Sequence, residues 1–140
     1  MTELGKKLFN ISQAAFKYGS PWKLEQFNEQ LSQPSLRCLT VSEDGVIVGF
    51  SLWQCTLDEA ELLLIAVTPS FQGQKKGKEL MRKSFIELRE QGIRVLFFEV
   101  RKSNQVAISF YQSFGFEKVG MRKKYYHYPV EDAVIMSLEL

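Results

Sequence analysis

Two short apolar runs, separated by an amphipathic segment, constrain the fold of this chain more than any other feature of its sequence. Residues 61–67 and 94–100 are each almost continuously apolar, which is typical of strands that are buried on both faces. Between them, apolar residues recur at helical spacing from about residue 75 to residue 91, and Gly92 follows. A strand–helix–strand unit of this kind predicts a right-handed crossover between two parallel strands.

Turn signals and shorter apolar runs predict further elements on either side of this unit. The tripeptide Glu43-Asp44-Gly45 is typical of a hairpin turn, and a basic aromatic loop is expected over 122–130. The predicted strands lie at 36–41, 46–56, 61–67, 94–100, 116–121 and 133–140. The predicted helices cover 11–17, 21–34, 75–91 and 104–114. The order α-β-β-β-α-β-α-β-β predicts an α/β fold with a mixed, mostly antiparallel sheet, a central parallel pair and flanking helices.

Length and composition are those of an ordinary globular domain. The chain has 140 residues, of which 45% are hydrophobic and 24% are charged, so we expect a single domain over 1–140 with its own core. The longest apolar runs are far shorter than the roughly 20 residues needed to span a bilayer, so no membrane partner is expected. The first residues contain two lysines but no long apolar segment, so we predict no secretory leader and a cytoplasmic location.

Charge, cysteine and histidine content limit the partners, disulfide bonds and metal sites that we expect. The net charge of +2 argues against a nucleic-acid partner, which would have to use the basic segments at 75–83 and 122–124. Cys38 and Cys55 lie in apolar, strand-like contexts, and we interpret them as two buried thiols in preference to a disulfide. The single histidine, His127, has no partner at metal-ligand spacing, so no metal site is predicted.

The turn between the first apolar run and the following helix is rich in glycine and lysine. Backbone N–H groups at a helix start point outward at the positive end of the helix dipole, and glycine lets a phosphate approach closely. Five cations fall within nine residues, at Lys75, Lys76, Lys78, Arg82 and Lys83. Two interpretations stay open, a solvated basic helix start or a phosphate-binding turn. A Walker loop does not fit, because Glu79 follows Gly77-Lys78, and the glycine spacing excludes a dinucleotide fingerprint.

Three further side chains are candidates for chemistry. Burial of Glu99, near the end of an apolar strand, would raise its pKa towards the range useful for a general base, unless it reaches water or pairs with Arg101 or another neighbour. Tyr111 lies on the apolar stripe of the last predicted helix, where it is either a core residue or a hydroxyl in need of a partner. Asn104, at the start of that helix, has the residue type of a helix cap.

Several motifs together resemble the GCN5-related N-acetyltransferase family. The matching stretches are Pro21-Trp22, 57–60, 65–69, 99–104, 107–116, 122–126 and 131–136. The combination of Glu-Val-Arg-Lys-Ser-Asn at 99–104 with Phe-Tyr-Gln-Ser-Phe-Gly-Phe at 110–116 is fairly specific, whereas the glycine-lysine turn alone is weak. The resemblance is closest to the bacterial ribosomal-protein-alanine N-acetyltransferase (RimI) group, and it spans residues 21–140.

The resemblance implies an enzyme that moves the acetyl group of acetyl-CoA to a primary amine without a metal. In this group the acceptor is the N-terminal α-amine of a ribosomal protein. Glu99 would act as general base and Tyr111 as general acid. The pantetheine would bond the backbone of 65–67, and the pyrophosphate would lie on the N–H groups of 73–78. The implied cofactor-binding residues are Ile65, Ala66, Val67, Gln72, Gly73, Gln74, Lys75, Lys76, Gly77, Lys78 and Asn104.

Two departures from the family pattern keep alternatives open. Lys75 stands where the family has its first turn glycine, and a lysine held at positive φ costs about 1 kcal/mol or more, which predicts weaker or altered CoA binding. Leu64 stands where close members of the group carry Asn. The alternatives are acetylation of a small amine or a lysine, or a CoA-binding module with little turnover. Acceptor specificity would come from the first helices, the 57–61 hairpin and the 122–130 loop.

Overall fold

The computed structural model of the protein describes residues 3–73 and 75–140. Its helices are α1 (Glu3–Ala15), α2 (Leu24–Leu31), α3 (Lys76–Glu90) and α4 (Gln105–Gln112), with a 3₁₀ turn at Pro69–Phe71. Its strands are β1 (Leu36–Glu43), β2 (Val46–Thr56), β3 (Glu59–Val67), β4 (Val95–Arg101), β5 (Glu117–His127) and β6 (Val130–Glu139).

The six strands form one sheet in the order β1-β2-β3-β4-β6-β5. Neighbouring strands are antiparallel except for β3 and β4, which run parallel and are connected through α3. The predicted strand–helix–strand unit is therefore confirmed, and so is the α/β fold with a mostly antiparallel sheet, a central parallel pair and flanking helices.

Two helices precede β1, and the predicted bounds of the first are wrong. The prediction began this helix at residue 11, whereas α1 begins at Glu3 and ends at Ala15. Leu8 and Ile11 of α1 lie three residues apart and are buried against Phe27. The packed face of α1 is therefore a narrow stripe with helical spacing. The exposed Lys6 and Lys7, which precede Leu8, dilute the apolar pattern of the first turns, and this is why the sequence did not reveal these turns.

The segment 122–130 is not the loop that the sequence predicted. β5 continues through it to His127, and β6 begins again at Val130 after a short turn with a cis peptide bond before Pro129. The register between β5 and β6 shifts between residues 122 and 126, so extra residues of β5 bulge out of the ladder. Lys124 has a φ of 52° there, and its backbone N–H donates to Asp132 Oδ1 at 2.9 Å. Because β5 is an exposed edge strand, it lacks the apolar alternation by which strands are recognised.

The sheet carries a hydrophobic cluster on each face. One face packs against α3 and α4, around Trp53, Leu80 and Phe98. On this face the indole of Trp53 donates to Ser51 Oγ at 2.8 Å, which in turn bonds the buried Ser84 hydroxyl of α3. The other face packs against α1 and α2 around another set of side chains: Leu8, Ile11, Phe27, Leu36, Phe50, Leu52 and Ala66. This second cluster reaches only as far as β3, so the same face of β4, β6 and β5 is left outside it.

Both cysteines are free and half-buried, as the sequence predicted in preference to a disulfide. Burial raises the pKa of the Cys38 thiol to about 11, so this thiol stays protonated and packs as a small apolar group. In the described ranges, the helices are too short or too polar to cross a lipid bilayer.

Candidate active site

The parallel strands β3 and β4 separate from each other after a short paired stretch. Their register comprises only three pairs, which join residues 59–61 of β3 to 95–97 of β4. Beyond Glu61 the strands diverge, and in the described sheet residues 62–67 pair with β2 alone. The β2–β3 register also shifts between Leu52 and Trp53, and this bulge lies where the divergence begins. The result is a cleft with a free strand edge along one wall.

Three adjoining cavities follow this cleft from β4 to the start of α3. The first, of about 320 Å³, is lined by Glu99, Tyr111 and the β3 residues 62–65. The second, of about 430 Å³, shares Ile65, Asn104 and Tyr111 with the first. The third, of about 390 Å³, shares Val67, Gln72, Gly77 and Phe110 with the second and ends at Lys75 and Lys78. Their shared walls make them one trough.

The turn at the far end of the trough has a backbone suited to anions. The side chain of Gln72 donates to the Val67 carbonyl at 2.9 Å, which ties the turn to the end of β3. Lys75 precedes α3 with a φ of 63°, so the position does adopt the left-handed conformation that glycine favours. The N–H groups of the first turn of α3 thus face the trough at the positive end of the helix dipole. Gln74, also expected here, lies outside the described residues.

The structure divides the five clustered cations into two groups. The Lys76 ammonium pairs with Glu43 at 2.7 Å and Glu79 at 3.2 Å, and the Lys83 ammonium donates to the Thr40 carbonyl at 2.7 Å. These two side chains therefore secure α3 against β1, and only the backbone of Lys76 is available to the trough. The remaining three side chains have no ion pair among the described residues: Lys75, Lys78 and Arg82.

Glu99 projects from β4 into the near end of the trough and is already paired. Arg122 Nε lies 2.7 Å from Glu99 Oε1, so the alternative that Glu99 pairs with a neighbour is the one observed, although Arg101 is not that neighbour. A hydrogen bond to Glu99 raises the pKa of the Tyr125 hydroxyl. Burial, and next the charge of Glu99, raise the pKa of the nearby Glu61 carboxyl, while Arg122 lowers it. Four side chains from three strands thus form one polar cluster.

Tyr111 is a core residue that also reaches the trough. Its side chain is 8% exposed and its ring lies 4.2 Å, centroid to centroid, from that of Phe98. Burial raises the pKa of the Tyr111 hydroxyl, so the group holds its proton throughout the physiological range. The two interpretations of this residue, core or functional hydroxyl, are therefore compatible, because the residue lines two of the three cavities.

Asn104 has a structural role and also borders the trough. Its Oδ1 accepts a hydrogen bond from the Ala107 backbone N–H at 3.1 Å, which caps α4 as the residue type suggested. The same residue lines two of the cavities, so its side-chain amide is left to donate to a ligand. Ile65, Ala66 and Val67, for which the resemblance implied backbone contacts with the cofactor, line the second cavity on β3.

Sequence reasoning did not find Arg122 and Tyr125 as partners of Glu99. Both lie in the stretch that resembles the family, but the sequence assigned that stretch to a loop of undetermined position. The signal was the run of basic and aromatic residues itself, which was unusual for a connecting loop. No set of three metal-ligating side chains that could hold an ion occurs in the described part of the chain.

Comparison with known proteins identifies the fold family. Residues 6–116 match the family model described as acetyltransferase (GNAT) family. The chain belongs to the GNAT acetyltransferase family. Ribosomal protein bS18-alanine N-acetyltransferase of Haemophilus influenzae is 36% identical to this acetyltransferase over 138 residues, which cover 96% of the chain and 92% of the relative.

Solved structures agree with this assignment. The crystal structure of the ribosomal-protein-S18-alanine N-acetyltransferase from Escherichia coli has a TM-score of 0.87, with 33% identity over 99% of this chain and 89% of that one. A GNAT acetyltransferase from Elizabethkingia anophelis, solved with acetyl-CoA bound, shares the fold at a TM-score of 0.78 and 22% identity, covering 94% and 90% of the two chains. This protein is thus an N-acetyltransferase that uses acetyl-CoA. The trough fits that cosubstrate, since it joins a free strand edge to a helix start with unpaired cations.

Proposed function

We propose that this acetyltransferase acetylates the N-terminal α-amine of a protein, with ribosomal protein bS18 as the candidate acceptor. The observation that carries the proposal is the presence of Glu99 and Tyr111 in one cavity, at the point where β3 and β4 diverge. The bS18 acceptor is the one in the name of a relative that is 36% identical over nearly the whole chain. Work on a ribosomal protein would place the enzyme in the cytoplasm.

Glu99 is proposed as the general base. An N-terminal α-ammonium has a pKa near 8, so removing its proton at neutral pH costs only about 1 to 2 kcal/mol. A carboxylate in direct contact, or connected through one water, can accept that proton as the nitrogen attacks. Glu99 suits this task because it stands at the wall of the trough with 14% of its side chain exposed, within reach of water.

Tyr111 is proposed as the general acid. Acetyl-CoA supplies an activated acyl group, whose thiolate leaves once the tetrahedral intermediate collapses. The Tyr111 hydroxyl lies in the trough with a raised pKa, so it carries the proton that the leaving sulfur needs. In this scheme Glu99 accepts a proton from the attacking nitrogen, and Tyr111 donates a proton to the leaving sulfur.

The rest of the trough is proposed to bind the cosubstrate. The free edge of Ile65, Ala66 and Val67 would bond the amides of the pantetheine arm in the manner of an added strand. The backbone N–H groups of Gly73 to Lys78 would hold the pyrophosphate, and the Asn104 amide would donate to the arm. We further propose that residues 1–140 act as one catalytic domain, because both hydrophobic clusters pack on the same sheet.

Conservative variants test the two catalytic roles. We expect Glu99→Gln and Tyr111→Phe each to lower kcat by about 10²-fold or more, because each removes one proton transfer while leaving the shape of the trough. Glu90→Gln, at an exposed carboxylate at the end of α3, is the matched control and should retain wild-type kcat. Unchanged kcat in either catalytic variant would assign that proton transfer to another group.

A peptide panel tests the acceptor. Peptides with the bS18 N-terminus should be acetylated when the α-amine is free and not when it is blocked, as read by mass spectrometry. Leu64, where close members of the group carry Asn, lines the same cavity as Glu99. This difference near the acceptor makes a different acceptor the main competing outcome. Acetylation of the blocked peptide at lysine, or of a small amine alone, would replace the N-terminal assignment. Acetyl-CoA binding with no acceptor modified would indicate a CoA-binding module.

A further inference from the structure

The ion pair between Arg122 and Glu99 occupies the position where an acceptor amine has to arrive. Arg122 Nε is 2.7 Å from Glu99 Oε1, which is the distance of a strong, charge-assisted hydrogen bond. An α-ammonium that donates its proton to Glu99 needs the same oxygens at the same distance. The two cations therefore compete for one carboxylate.

The two members of this pair differ in how firmly they are held. The Glu99 side chain is 14% exposed on β4 inside the sheet, whereas the Arg122 side chain is 57% exposed on the edge strand β5. The other contact of the Arg122 guanidinium in the described part of the structure is with the Tyr125 ring, at 5.8 Å from the centroid. Because most of the Arg122 side chain is already in water, moving it away from Glu99 costs little.

The groups around Glu99 disfavour a carboxylate without any cation beside it. If Arg122 leaves, they therefore favour its replacement by another cation. Glu61 from β3 faces the same point, and its pKa is raised by burial and by the charge of Glu99. From β5, the hydroxyls of Tyr125 and Tyr126 also have raised pKa values: a hydrogen bond to Glu99 is the main cause for Tyr125, and burial followed by the charge of Glu99 for Tyr126. Arg122 lowers the pKa values of Glu61 and Tyr125, whereas Arg101 lowers that of Tyr126. Departure of Arg122 would therefore leave Glu99 and Glu61 as two acidic groups that attract an ammonium.

We propose that Arg122 is an exchangeable counter-ion of Glu99, which holds the amine position in the free enzyme and yields it to the ammonium of the acceptor. The inference rests on the proposed function of Glu99. It makes Arg122 a specificity-determining residue, since an acceptor must carry a positive charge to displace the guanidinium. A neutral nucleophile such as an alcohol would leave the ion pair intact and find no free base.

Replacement of Arg122 by methionine removes the competing charge while keeping the length of the side chain. We expect Arg122→Met to bind a bS18 N-terminal peptide about 2- to 5-fold more tightly in the presence of CoA, by calorimetry, which corresponds to the loss of a partly exposed ion pair. The KM for the peptide should fall by a similar factor with kcat little changed, because the acceptor no longer has to displace a guanidinium from Glu99. Arg122→Lys should stay close to the wild type in both measurements.

Lys118→Met is the matched control. Lys118 lies on the same strand but is registered with Met136, whose side chain belongs to the core on the opposite face of the sheet. This variant loses one cation from β5 and should change neither peptide affinity nor the peptide KM. Thermal unfolding of each variant confirms that the fold is retained before the kinetics are compared.

Distinct results would overturn the proposal. Weaker peptide binding by Arg122→Met would show that Arg122 holds the acceptor, and an unchanged peptide KM would show that its charge does not compete for Glu99. A wrong assignment of Glu99 as general base would be recognised by a different result, because Glu99→Gln would then keep full activity. In that variant the affinity gain from Arg122→Met should also disappear, since there is no carboxylate left to compete for.

Discussion

At the scale of single residues, Lys75 is a residue type that conflicts with the backbone conformation at its position. The residue before α3 has a φ of 63°. The family pattern has glycine at this position, whereas this chain has lysine. A Cβ in the left-handed region crowds the backbone at a cost of about 1–2 kcal/mol. The exposed lysine side chain has no ion pair in the described structure that would offset this cost.

We therefore expect Lys75→Gly to increase the free energy of unfolding by about 0.5–1 kcal/mol, measured by urea denaturation. The gain is smaller than the strain because glycine also gives the unfolded chain more freedom. Lys75→Ala removes the charge but keeps the Cβ, so it should give no such gain. Equal stabilisation by both variants would assign the effect to charge and not to the backbone.

At the scale of elements, Glu131 connects the β5–β6 hairpin to the loop that precedes α4. Its carboxylate accepts a hydrogen bond from the Ser103 backbone N–H at 2.6 Å and pairs with Arg101 Nη1 at 3.1 Å. The pKa of Glu131 lies below its usual value chiefly because of a hydrogen bond with the Ser103 side chain; burial opposes the shift, and the Ser103 backbone N–H and Arg101 add to it. The hairpin that carries Arg122 and Tyr125 is thus fixed next to β4 by a charged group.

The stability that Glu131 contributes should depend on pH. Because its pKa is lower in the folded than in the unfolded protein, the contribution is complete above the unfolded value near 4.3 and is lost as pH falls through the folded value. We expect Glu131→Gln to be less stable than the wild type at neutral pH, with the difference shrinking as the pH falls below the unfolded value near 4.3. Urea denaturation across this range measures it. A difference independent of pH would point to packing as its source.

At the scale of the whole molecule, the sheet is divided by the divergence of β3 and β4. Three paired positions join its two halves along this line, and α3 and the core beneath it supply the remaining connection. The free edge of β3 is a cost in the unliganded protein, because beyond Glu61 its backbone groups have no partner strand on the β4 side in the described sheet. A ligand that bonds this edge completes the sheet.

Hydrogen exchange can detect this completion. We expect acetyl-CoA to slow exchange at the amides of residues 62–67 that are not bonded to β2, and at the start of α3. Amides in the β1–β2 ladder, which is already complete, serve as the internal control and should change little beyond the global stabilisation. Protection confined to α3, with no change in β3, would contradict binding along the strand edge.

Much of the architecture could be predicted from the sequence because it depends on local periodicity. The apolar runs at 61–67 and 94–100, with the amphipathic helix between them, identify a parallel pair without knowledge of any contact. The cost assigned to Lys75 depended on a positive φ at that position, and the structure has one. The second half of the edge strand β5, over 122–127, escaped prediction, since a solvated edge imposes no such periodicity.

Local patterns in the sequence identify the strand–helix–strand unit, the basic turn at its centre, and Glu99 and Tyr111 as candidate side chains. The groups that surround these two side chains follow only from the packing of distant strands. Arg122 reaches Glu99 through the pairing of β4 with β6 and of β6 with β5, a path that no local spacing encodes. The physical reason is that periodicity reports burial along one element, whereas partners of a buried charge come from neighbouring strands that are distant in the chain.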